Sequence, residues 1–145
     1  MFRHILLPTD GSVQSQVAIR KGVHLARTLK ARITGISVMP EPKFYWYQTD
    51  IIAQVKKETV KQHQVQANRN LAFIEKAARE AGVPCETLCE RSDHPYAAII
   101  RTAEKSACDL IMMASHGRRG VEGLLLGSET QKVLTHSKIP VLVCR

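Results

Sequence analysis

Glycines at a fixed spacing beside a serine are the residues of this chain best suited to hold a charged ligand. Gly117 is followed by nine residues and then by Gly127-Ser128. Glycine lets backbone amides approach a phosphate closely, and a helix opening at Gly127-Ser128 would add unsatisfied N–H groups and a favourable dipole. The segment Ser128-Glu129-Thr130-Gln131 also reads as a capping box, which would account for Ser128 with no ligand. Asp10-Gly11, inside Pro8-Thr9-Asp10-Gly11-Ser12, is either a tight turn or an acceptor for ribose or adenine groups. His116 has no second histidine or cysteine near it in the chain and reads as a turn or surface residue before a base or ligand. Arg118 and Arg119 either screen phosphate charge or form a solvated pair.

Other chemistries are excluded by missing patterns. There is no Gly-x-x-x-x-Gly-Lys-Ser/Thr phosphate cradle, no Gly-x-Gly-x-x-Gly after the first strand and no Gly-x-Ser-x-Gly nucleophile elbow. Cys85, Cys89, Cys108 and Cys144 are expected as reduced thiols, since the gap between Cys85 and Cys89 matches neither a redox pair nor a zinc site.

The elements that must position these loops are legible from periodicity. Strands are expected at about His4–Leu7, Arg32–Val38, Cys85–Glu90, Asp109–Ala114 and Pro140–Cys144. Between them lie helices at about Val13–Lys30, Asp50–Ala81, Pro95–Ser106 and Ser128–Ser137. Gly22 is expected to allow the first helix close to the sheet. The second helix carries Ile52, Val55, Thr59, Val60, Ala67, Leu71, Ile74, Ala78 and Ala81 as its expected core stripe, with His63 partly buried on or near it. Gly82-Val83-Pro84 ends that helix.

This alternation is the pattern of an α/β fold, a five-stranded parallel sheet with four helices on both faces, and right-handed crossovers give the Rossmann-like order 3-2-1-4-5. Ligands of such sheets bind outside the carboxyl ends of the strands where the order reverses, here between the first and fourth strands. The Pro8–Ser12 loop and the Ser115–Ser128 loop both leave the sheet at that point.

These segments resemble the universal stress protein family. Pro8-Thr9-Asp10-Gly11-Ser12, Ser115-His116-Gly117, Gly127-Ser128 and the ending from Val133 to Val143 carry the likeness, which covers the whole chain as one domain, residues 1–145. The family's pattern is Gly, two residues, Gly, nine residues, Gly-Ser/Thr, and Ala114 stands in place of its first glycine. The resemblance implies an adenine nucleotide alpha hydrolase-like fold. It also implies ATP, with Mg²⁺, bound by Pro8, Thr9, Asp10, the backbone around Val38, Met113, Ala114, Gly117, Gly127, Ser128, Glu129 and Thr130. Glu129 would repel the phosphates unless its side chain turns away or Mg²⁺ intervenes. The implied function is an ATP-binding, nucleotide-responsive regulator in the stress response, at most a slow ATPase, and a homodimer through the C-terminal edge strand Pro140–Cys144. The alternative is a protein-interaction module that works without nucleotide.

Composition sets the remaining bounds. The 145 residues, 44% hydrophobic, suit one domain, and the longest apolar runs, such as Leu110–Ala114, are far short of a membrane span. With no leader, the expectation is a cytoplasmic protein with no membrane partner. The net charge of +8 comes from basic residues spread along helices without interleaved aromatics, so nucleic acid is not the expected partner. Phe44-Tyr45-Trp46-Tyr47 is left unexplained by the glycine pattern. It is expected either to pack on the second helix or in a dimer, or to close over the nucleotide as a lid.

Overall fold

A computed structural model describes residues 1–118 and 125–145. In chain order it holds β1 (His4–Pro8), α1 (Val13–Leu29), β2 (Arg32–Met39), α2 (Asp50–Ala81), β3 (Cys85–Arg91), α3 (Pro95–Lys105), β4 (Leu110–Ala114), α4 (Ser128–His136) and β5 (Val141–Cys144). The strands are all parallel, in the order β3-β2-β1-β4-β5, as expected from the alternation of elements.

Local chemistry sets the helix ends. The Ser12 hydroxyl accepts the Ser15 amide at 3.1 Å and starts α1, while Lys30 closes it in the left-handed region at φ 55°. Thr49 caps α2 through the Ile52 amide, and Gly82 at φ 68° stops it. Pro95 opens α3, where its missing N–H costs nothing.

The start of α4 departs from the expected capping box. Gly127 occupies the cap and Ser128 is the first helical residue, with no side-chain cap. The reason lies in the Gly127 amide, which is bonded to the Ser115 carbonyl at 2.6 Å and so fixes Gly127 in extended backbone as the helix begins.

Each face of the sheet has its own core. On one, Ile5, Leu7 and Ile33 pack with Ile19 of α1 and with Leu71 and Ile74 of α2; on the other, Leu6, Ile36 and Ile111 pack with Ile99 of α3 and Val133 of α4. Each such side chain contributes about 1.5–3 kcal/mol on burial. Gly22 does bring α1 close, since a Cβ there would lie 2.6 Å from the Leu7 side chain. At the lower end of the second face His4 is buried, and its Nε2–H donates to the Thr34 hydroxyl at 2.7 Å, which in turn donates to the Glu86 carboxylate at 2.9 Å.

Only part of the expected α2 stripe reaches the core. Ala67, Leu71, Ile74 and Ala78 are buried, whereas Ile52, Val55 and Thr59 are exposed, and so is His63, contrary to expectation. The helix outruns the sheet. The Asn70 Oδ1 lies against Gly11, just past the end of β1, so residues 50–66 of α2, before the buried Ala67, run on past the end of that strand. At a rise of about 1.5 Å per residue that arm is about 25 Å long.

Candidate functional site

β1 ends at Pro8, paired with Ile36, while β2 continues to Met39. The Ile36 carbonyl accepts the Thr9 amide at 2.9 Å. Strand alternation therefore turns the Val38 peptide groups the same way, into space that β1 has vacated. Asp10 sits at the corner of this opening. One of its carboxylate oxygens accepts the Ser12 amide at 2.9 Å and the other accepts the Arg118 amide at 2.8 Å. Burial alone would raise the carboxyl's pKa, but the hydrogen bonds from Ser12, Arg118 and Ser15 outweigh it and leave the group below its ordinary value of 3.8. Asp10 thus ties the loop after β1 to the loop after β4.

That tie requires Gly117. A Cβ at Gly117 would collide with the Asp10 carboxylate. Gly127 is needed for space more than for conformation: its φ is −69°, but a Cβ would meet the Ser115 carbonyl at 3.2 Å and the His116 Cα at 3.4 Å. Gly11 has both constraints, with φ 77° and the Asn70 and Arg118 side chains packed over it.

Thr9 is buried and its hydroxyl accepts the Gly11 amide at 3.1 Å, so it shapes the turn. The Thr130 hydroxyl, also buried, donates to the Ala114 carbonyl at 3.0 Å and pins α4 to the end of β4. Ala114 and Met113 end β4 as buried residues. The Ser115 hydroxyl and His116 Nδ1 are 3.0 Å apart, and the buried His116 Nε2 has no partner among the described residues.

Glu129 resolves the conflict that the sequence raised. Its carboxylate accepts the Tyr96 amide at 2.8 Å in the first turn of α3, whose own cap residue, His94, supplies no side-chain bond. Lys132 lies 3.5 Å from its other oxygen. The charge is turned from the loop after β4 toward a neighbouring helix.

The structure therefore places Pro8, Thr9, Asp10, Val38, Met113, Ala114, Gly117, Gly127 and Ser128 at the carboxyl ends of β1, β2 and β4, in the loops that leave β1 and β4 and at the start of α4, while the side chains of Glu129 and Thr130 are engaged by Tyr96, Lys132 and Ala114. Arg119 lies outside the described residues. Sequence reasoning missed Asn70 and Gln66, which bond to each other at 2.9 Å on the flank of α2 facing Gly11. Their four-residue spacing on a polar face carries no signal until the arm is placed. Among the described residues no group of three or more His, Cys, Asp or Glu could hold a metal ion. The thiols are free, with Cys85 and Cys108 pushed up to about 11, chiefly by burial.

Comparison with known proteins gives a consistent picture. The profile of the Universal stress protein family matches residues 1–145. Over 161 aligned residues the chain is 32% identical to Universal stress protein YxiE of Bacillus subtilis, covering 100% of both chains. The solved structure of MJ0577 of Methanocaldococcus jannaschii superimposes with a TM-score of 0.82 at 28% identity, over 99% of this chain and 95% of that one. Two more distant structures share the fold and hold adenine nucleotides. One is a universal stress protein in complex with cAMP (TM-score 0.69, 21% identity, 99% and 97% covered). The other is the universal stress protein from Archaeoglobus fulgidus in complex with dAMP (0.66, 16%, 100% and 98%).

Proposed function

Because the chain belongs to the universal stress protein family along its whole length, we propose that it binds ATP at the opening between β1 and β4 and works as a nucleotide-responsive regulator. The observation that carries this reading is the start of α4. A helix N-terminus without a side-chain cap lies at the strand ends, next to two glycines that let the loop after β4 pack closely on Asp10 and on its own backbone. Amides of a first helical turn in that setting attract phosphate.

In this reading adenine lies along the Val38 backbone, with Met113 and Ala114 beneath it, and Pro8 and Thr9 wall the ribose, which Asp10 accepts through its remaining lone pairs. The phosphates face the amides of Gly117, Gly127, Ser128, Glu129 and Thr130. The cAMP and dAMP bound by two relatives support the adenine nucleotide class. Mg²⁺ would be held by the phosphate oxygens, since the Glu129 carboxylate is engaged by Tyr96 and Lys132. Where the family pattern has glycine, the Ala114 methyl narrows the floor and weakens binding.

Any turnover should be slow: beside the loop, among the described residues, the Asp10 carboxylate is engaged by the Ser12 and Arg118 amides, which leaves His116 as the candidate proton-transfer group. We also propose a homodimer through β5. The carbonyls of Pro140 and Cys144 face β4, so Val141 and Val143 turn their backbone groups outward from the sheet edge.

Calorimetric titration tests the reading. ATP should bind, and Gly127→Val should weaken it at least tenfold, about 1.4 kcal/mol. Equal affinity for both proteins removes the phosphate site. No heat with any adenine nucleotide favours the nucleotide-independent module instead, in which the Asp10 bridge to Ser12 and Arg118 closes the opening.

A further inference from the structure

Between the second halves of α1 and α2 runs a groove that neither the sheet nor the proposed nucleotide site uses. Its floor is apolar: Val23 is buried, and Phe73, Ala77 and Ala81 are partly covered. Its rim is basic. Arg20, His24 and Arg27 stand at one-turn intervals along the exposed side of α1, and Lys76 lines the groove from α2. The cavity measures about 360 Å³, at the small end of the roughly 300–1,000 Å³ typical of ligand pockets. The exposed aromatics that follow β2 do not reach it. Tyr45, Trp46 and Tyr47 pack on one another, and Tyr45 lies under Lys56, about 25 Å along α2 from Phe73.

The charge on this rim is not cancelled within the protein. α1 contains no Asp or Glu. On the facing part of α2, Glu80 pairs with Lys76 at 3.9 Å, and Glu75 is turned toward β3, where it accepts the Thr87 hydroxyl. Neither Arg20 nor Arg27 has a carboxylate partner among the described residues. Arg20 is held in place all the same, its guanidinium 5.5 Å from the centroid of the Phe73 ring. An arginine stacked on an aromatic face keeps its N–H edge for a carboxylate or phosphate, which its planar fork matches in two parallel hydrogen bonds.

We propose that this groove binds a small organic anion with a flat apolar body, a fused-ring carboxylate or phosphate. The ring lies on Val23, Ala77 and Ala81 beside Phe73, and the acid group meets Arg20, with His24 one turn further on. Arg27, about 10 Å from Arg20 along the axis, adds to the field that draws the anion in. The floor from Phe73 to Ala81 is about 12 Å long, which suits two fused rings with their acid group.

NMR titration of the full chain, labelled with nitrogen-15, tests this with naphthoate and naphthyl phosphate as the two probes. Amide shifts should concentrate in Arg20–Arg27 and Phe73–Ala81, and the tighter of the two probes identifies the acid group. Naphthalenemethanol, which lacks the charge, and inorganic phosphate, which lacks the ring, should each bind at least about tenfold more weakly. The double variant Arg20→Gln, Arg27→Gln changes two exposed positions and should keep the melting temperature while lowering affinity for the probes at least about tenfold. Gly127→Val should leave probe binding unchanged, since the groove lies away from the Gly11 end of α1, so this proposal and the nucleotide reading can fail separately. Absence of shifts in the two helices overturns the proposal, as does undiminished affinity in the arginine variant. Equal binding of inorganic phosphate alone also overturns it, by reducing the groove to a patch of diffuse positive charge. So do shifts centred on Gly11 and the start of α4, which would assign the probes to the nucleotide site.

Discussion

Asp10 holds two loops with one carboxylate, and its titration follows from that. Its folded pKa lies below the ordinary 3.8, so the stability it supplies is complete above that value and is lost as pH falls through the lower folded one. Asp109, which accepts the amides of Arg3 and His4, has the same sign. Urea unfolding of Asp10→Asn should therefore show a shallower acid limb than the parent. His4 acts at higher pH. Burial, then the charge of Arg32, lowers its pKa from 6.5 against Glu86 and Asp109, so stability is full above 6.5 and declines as pH drops from there toward the folded value. A His4→Asn variant should lack that decline in the same measurement. At Gly117 the added methyl of Gly117→Ala must displace the Asp10 carboxylate, so ATP affinity should fall at least about tenfold by calorimetry, with a stability loss of about 1 kcal/mol. Ala114→Gly, which restores the family glycine, should raise affinity.

Between elements, Glu129 works as a cap supplied by one helix to another. Glu129→Ala should cost about 1 kcal/mol in urea unfolding, with Glu129→Gln closer to the parent, and neither should weaken ATP by charge loss, because the carboxylate faces Tyr96. This contact lay beyond reach of the sequence, which places Glu129 one residue after Ser128 and says nothing of α3. The limits of α2 were legible, Asp50 to Ala81, because Thr49 and Gly82 act locally. Its stripe was not. At 100° per residue Ile52 and Val55 lie about 70° and about 130° around the helix from the centre of the Ala67–Ala78 stripe. A pattern of apolar residues cannot report where the sheet beneath a helix stops. The loops that leave β1 and β4 could be identified from strand order and glycine spacing, whereas Asn70 needed the arm's position and the tie between Asp10 and Arg118 needed coordinates.

For the molecule as a whole, the proposed dimer rests on the outward backbone of β5. Val143→Pro removes one outward N–H and leaves the β4 ladder, which uses the alternate residues, in place. Light scattering should give twice the 16.2 kDa chain mass for the parent and a single chain mass for the variant. The central strand has a further consequence, for synthesis. β1 pairs with β2 early in the chain but with β4 only through Leu110 and Ile111, and Asp10 lies 117 residues before Gly127 (127 − 10). A ribosome adding about 5–20 residues per second needs about 6–23 s to cover that interval. Until then the nascent chain carries the proposed adenosine side of the site without the helix proposed to face the phosphates. ATP can therefore reward only a chain translated nearly to its end, and a fragment stopping at Lys105 should gain no protection from proteolysis when ATP is added.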